Sequence, residues 1–189
     1  MILLLTAAFA SSELPACAEA PADPEAQAAL TAAYEAAQTA GSTEGDIKNR
    51  TKAVMKLHKK GLVCTADDHY KAGLVLFQSR DAEVLHVAHE LALVAAHHHV
   101  DRAKWLANNT FDRWQISLGN RQRFGTQIGR DGECLYPIDE TFPDDNRVAW
   151  GAPPLEETYA AFLKRRELDG VPNATTLNSL GLFCRLAPW

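Results

Sequence analysis

Between residues 21 and 118 apolar side chains recur every three or four positions, the period of an amphipathic helix, and glycines and capping residues break the pattern into segments. Ala26, Leu30, Ala33, Tyr34 and Ala37 predict a first helix that starts within 21–24 and is ended by Gly41. The run Ser42-Thr43-Glu44-Gly45-Asp46 supplies caps for a basic second helix that runs to about Lys60 and is stopped by Gly61. Thr65, with Asp68 three residues later, is a capping-box start for a third helix to about Gln78. Asp81 caps a fourth over 82–97, and a fifth is expected over 101–118.

After Gly119 the period collapses, and glycine, proline and aspartate accumulate up to Pro154. A loop that long in a compact domain is usually functional or disordered. The apolar anchors Phe124, Ile128, Leu135, Tyr136, Ile138 and Trp150 predict that it wraps against the helices. A last helix is expected over 155–166, followed by a loosely packed tail over 169–189. With no convincing strand before residue 120, the fold class is all-α, a compact bundle of about five to six helices with a long ordered loop before the last one. The single domain is expected to span 21–168.

Length and composition agree with one globular domain: 189 residues, 47% hydrophobic and 23% charged. A net charge of −5 removes polyanion binding by overall charge, so no nucleic-acid partner is expected. Ile2 to Ala10 is too short to span a bilayer and has the size of a signal-peptide core, which assigns 1–20 to an export signal. Ala18-Glu19-Ala20 fits a small-x-small cleavage pattern, and Leu14-Pro15-Ala16-Cys17 resembles a lipobox, so a periplasmic product and a lipoprotein anchored through Cys17 both stand. A cytoplasmic chain with a chance apolar start is the remaining alternative. If Cys17 is lost or lipidated, Cys64, Cys134 and Cys184 leave one disulfide and one free thiol, with the pairing open, or else three buried unpaired cysteines. No C-x-x-C pair is present, and no cofactor is indicated.

Two places carry candidate chemistry. On the fourth helix His86, His89, Glu90 and His97 share one stripe, opposite an apolar face of Val84, Leu85, Ala88, Leu91, Ala92 and Ala95. His86, His89 and Glu90 are weak metal candidates, because H-x-x-H-E lacks the i, i+4 histidine spacing of a zincin helix; the expectation is a polar stripe facing water or a cleft, with no metal. His97-His98-His99 diverge by about 100° each and read as a helix end. On the fifth helix Asp112 falls beside Trp105 and Ile116, and away from an apolar stripe of Ala103, Ala107, Phe111, Trp114 and Leu118. A carboxylate near bulky apolar groups needs a partner, and the next segment offers Arg121, Arg123, Arg130, Thr126, Gln127 and the backbone amides around Gly125. Either Asp112 ties a glycine loop to the core, or it holds a ligand or acts in catalysis.

Trp105-Leu106, Asp112-Arg113, Gly119-x-x-Gln122-x-Phe124-Gly125-Thr126-Gln127, Pro137-Ile138-Asp139 and Gly151-x-Pro153-Pro154-Leu155 together resemble a bacterial domain family of unknown function, over about 70–165. His89-Glu90-Leu91-Ala92 is similar to that family's preceding helix, whereas Gln78-Ser79 stands where many members have Gln-His. The resemblance implies an exported helical domain and no particular chemistry. Two functions are therefore carried forward. One is a ligand-binding or structural module, in which Gln122, Arg123, Gly125, Thr126 and Gln127 hold a small polar or anionic ligand. The other is a hydrolase with Asp112 as general base, helped by Arg113, Thr126 and Gln127.

Overall fold

The computed structural model describes residues 23–168 and 170–186, so the segment 1–20 expected to be an export signal, with Cys17, lies outside the described residues. Among the described residues there are eight helices and no named strand: α1 (Pro24–Gln38), α2 (Glu44–Lys59), α3 (Ala66–Leu76), α4 (Ala82–His97), α5 (Ala103–Ser117), α6 (Asp144–Ala149), α7 (Leu155–Arg165) and α8 (Ala174–Ser179). The protein is an all-α bundle. Local chemistry sets the starts. Asp23 and Asp81 accept backbone N–H groups at the heads of α1 and α4, while Thr43 with Asp46, and Thr65 with Asp68, form complete capping boxes on α2 and α3.

Helices α1 to α4 enclose a first core of Leu30, Val54, Ala72, Val75, Leu76, Ala88 and Leu91. The other side of α4 meets α3 and α5 in an alanine-rich second core around Tyr70, Ala92, Ala95, Leu106 and Ala107. Small residues let these helices approach closely. A Cβ on Gly73 of α3 would lie 3.2 Å from the carbonyl oxygen of Ala88 and 3.3 Å from Leu106.

The C-terminal third adds a separate core of Leu135, Ile138, Tyr159, Phe162, Leu163, Leu177 and Leu182. Here the structure departs from the sequence pattern. The tail carries α8, and Leu177 and Cys184 are buried, so residues 173–184 pack onto the domain where a loose end was expected. The long loop holds the short helix α6 and three isolated β-bridges, Gln122 with Ile138, Ile128 with Leu135, and Leu135 with Phe183. Cys134 and Cys184 form a disulfide that closes the tail onto the loop. Cys64 is also disulfide-bonded, so the expected free thiol is absent from the described cysteines. No helix among the described residues is long and apolar enough to cross a membrane.

On α5 the expected pattern holds only in part: Ala103 and Ala107 of the apolar stripe are buried, and so is Asp112, but the end of the stripe is not. Trp105 and Leu118 are 45% and 46% exposed, while Asn108, Asn109, Thr110 and Asp112 are buried. α5 is covered on one side by α3 and α4 and on the other by the loop, so its second buried face is polar. Trp105 turns outward, its ring 6.4 Å from Phe77 and 5.2 Å from the Arg102 guanidinium. The helix also starts two residues later than expected, after Arg102 at φ 61°, and lacks a side-chain cap.

Candidate functional site

Asp112 is fully buried and every hydrogen-bonding direction of its carboxylate is taken. Oδ1 accepts from the backbone N–H of Arg123 at 2.7 Å and of Phe124 at 3.0 Å. Oδ2 accepts from Phe124 N–H at 3.2 Å, Thr126 N–H at 3.0 Å and the Thr126 hydroxyl at 2.9 Å. Burial pushes the carboxyl up from the usual range, and the donors from Phe124, Thr126 and Arg123 pull it back down. The carboxylate has no free lone pair with which to take a substrate proton.

The loop can wrap around one side chain because Gly125 stands at φ +72°. A Cβ there would meet Thr158 Cγ2 at 2.6 Å and Ile138 Cδ1 at 2.9 Å, so both backbone and space demand glycine. Gln122, fully buried, closes the same loop from within. Its amide donates to the carbonyls of Gln127 at 3.0 Å and Tyr136 at 2.7 Å, and its oxygen accepts the Gln127 N–H at 2.9 Å. Gln127 in turn donates to Asn109 Oδ1 at 3.2 Å and to the Thr126 hydroxyl at 2.9 Å.

The far face of the loop is held by a residue the sequence reading missed. Arg147, on α6, is fully buried; it donates to the carbonyls of Arg123, Phe124 (3.1 Å) and Pro153 (3.0 Å), and to the Thr158 hydroxyl at 2.9 Å. Its Nε also lies 3.4 Å from Asp144. The N–H groups of residues 123, 124 and 126 therefore point to a carboxylate, while the carbonyls of 123 and 124 point to a guanidinium. No pattern of side chains marked this role, since an arginine in an acidic six-residue helix reads as solvated.

Of the proposed site residues, Asp112, Gln122, Gly125, Thr126 and Gln127 converge as expected, on a closed network. Arg123 joins through its backbone, with its side chain outside, 4.7 Å over Phe111 and 5.3 Å from Phe142. Arg113 does not join: its guanidinium lies 5.1 Å over Phe77, because it projects about 100° from Asp112 around the helix. Along the histidine stripe of α4, Glu90 and His97 are exposed, whereas His86 and His89 are half-buried. His86 and His89 lie against the aromatic side of α5, with ring centroids 4.4 Å and 6.3 Å from Trp114. Glu90 reaches only His86, at 3.8 Å. Among the described residues no group of three His, Cys, Asp or Glu is arranged to hold a metal ion.

Beside the closed network lies a cleft of about 440 Å³. Gly125, Thr126 and Phe124 form its loop wall, Asn108 and Trp105 its helix wall, and Trp150 its far side. Lys104 and Arg165 also line it. Asn108 is 4% exposed; its amide donates to the Trp150 carbonyl at 3.0 Å, but its Oδ1 is buried with no partner. With under 1 Å² of accessible surface that oxygen meets the cleft only if the Asn108 side chain turns toward it, where an incoming donor would remove the desolvation cost of an unpaired acceptor. A larger hollow of about 730 Å³ between α2 and the head of α4 is lined by Lys48, Lys52, Lys59, Arg80 and Arg130 against Glu44, Asp81 and Glu83, a mixed wall with a surplus of positive charge. Comparison with family models, curated proteins and solved structures finds no match.

Proposed function

We propose that this protein is a small-ligand-binding module of an exported helical domain, with the ligand in the Asn108 cleft and the Asp112 network as its frame. The observation that carries this reading is the unpartnered Asn108 Oδ1, buried at the edge of a cleft with two tryptophans and two cations on its walls. That chemistry suits a small polar or anionic molecule with an O–H or N–H to give to Asn108 and a face to lay against Trp105 or Trp150. Gly125 and Thr126 line this cleft, whereas Gln122 and Gln127 support its wall from behind. The alternative of a hydrolase using Asp112 as general base gains no support from a carboxylate saturated by donors. Export belongs to the same proposal; the Cys134–Cys184 disulfide and the disulfide-bonded Cys64 support an oxidising compartment, and the resemblance to the bacterial family of unknown function fits it.

The experiment is a thermal-shift screen of small polar and anionic metabolites on wild type and on Asn108→Ser. At a ligand concentration about 100 times Kd, binding should stabilise the wild type by about 2.7 kcal/mol, seen as a Tm rise of several degrees, and the variant far less. No stabilising compound in a broad panel, or equal stabilisation of the variant, would overturn the reading.

A further inference from the structure

A second hollow, of about 380 Å³, shares Asn108, Phe124 and Trp150 with the first, and its remaining wall includes His89, Phe111, Arg123 and Phe142. The tautomer of His89 follows from its neighbours. Nδ1 lies 3.1 Å from the carbonyl oxygen of Ala107, which can only accept. It is also 3.4 Å from the Thr110 hydroxyl, whose own hydrogen is directed to the carbonyls of Leu106 at 2.8 Å and Ala107 at 3.0 Å. Both partners want a hydrogen from Nδ1, so the neutral ring carries it there and leaves a lone pair on Nε2. The ring is fixed by the edge-on Phe111 at 5.2 Å.

Arg123 also stands over the ring of that phenylalanine, with Phe142 beside it, and has no carboxylate within 4.0 Å among the described residues. The hollow thus offers one cation, one imidazole acceptor and aromatic walls. A cationic ligand would meet the arginine, and a plain carboxylate would leave Nε2 without a donor. We infer that this hollow is a second binding site, for a carboxylate with a neighbouring hydroxyl and an apolar body. The carboxylate pairs with Arg123, the hydroxyl donates to Nε2 of His89, and the body lies among Phe111, Phe124 and Phe142.

Mandelate and phenylacetate differ only by that hydroxyl and make the test. Titrated into histidine-labelled protein at pH 7.5 and followed by NMR, mandelate should move the His89 ring signals and bind about tenfold more tightly than phenylacetate, the worth of one well-made hydrogen bond. Arg123→Gln should weaken both acids, and His89→Phe should erase the difference between them. Equal affinity of the two acids for wild type, or an unmoved His89 signal at millimolar mandelate, overturns the inference, and the wild-type comparison decides even if a variant fails to fold. Should other compounds stabilise the protein through Asn108 while mandelate leaves His89 unmoved, this site falls and the Asn108 reading stands.

Discussion

At the scale of single residues, Asp112 and Gly125 hold the loop by different means, and their substitutions should read differently. Asp112→Ala leaves the N–H groups of Arg123, Phe124 and Thr126 unpaired in the interior, so a loss of about 2 to 4 kcal/mol is expected in urea unfolding. Gly125→Ala adds a methyl 2.6 Å from Thr158 Cγ2 at a positive φ, and should cost at least about 1 kcal/mol while leaving the carboxylate in place. The histidines give the molecule a pH dependence. Burial holds His69 and His89 below the usual imidazole range, against the opposing pull of their carbonyl partners Thr65 and Ala107, so both are neutral in the fold and protonate more readily once unfolded. Their contribution is complete above about pH 6.5 and is lost as pH falls through the folded values. Unfolding midpoints should decline between pH 7.5 and 5.5, and more shallowly in His89→Phe. Asp112 was legible in the sequence because an acid on a largely apolar helix followed by a glycine loop poses a question of hydrogen-bond satisfaction. Arg147 was not, since its four acceptors come from backbone and from Thr158, all distant or silent in a pattern of side chains.

At the scale of elements, the helices with caps and a long apolar period were readable, α4 to the residue and α7 to within one. α6 and α8, six residues each, span less than two turns, too short for a period to show, and they exist because tertiary contacts hold them. The wheel of α5 held only in part, for a different reason: it assumes one buried face, whereas this helix has two. The turn from α4 to α5 holds two non-glycine residues in the left-handed region, His99 at φ 58° and Arg102 at φ 61°. His99 is exposed, so His99→Gly removes the strain without loss of packing and should raise stability by about 0.5 to 1 kcal/mol, read as a higher Tm.

At the scale of the whole molecule, the helical bundle α1 to α5 and the C-terminal core meet at the 122–127 loop. Asp112 reaches the loop from the bundle, and Arg147 reaches it from the C-terminal part. The disulfide then ties the tail to that second part across a separation of 50 residues. Its removal by Cys134→Ser with Cys184→Ser should lower stability by about 2 to 4 kcal/mol. The pairing itself was not legible, because three cysteines with no mutual spacing rule allow any pair. The junction is the central feature, since the candidate cleft takes a wall from it. A double-mutant cycle of Asp112→Asn and Arg147→Met, followed by urea unfolding, tests it most directly. Because the two side chains bind opposite edges of the Arg123–Phe124 peptide unit and neighbouring groups of the same loop, the two losses should fail to add, with a coupling of about 1 to 3 kcal/mol. Losses that add to within about 0.5 kcal/mol would show two independent anchors and contradict a shared frame.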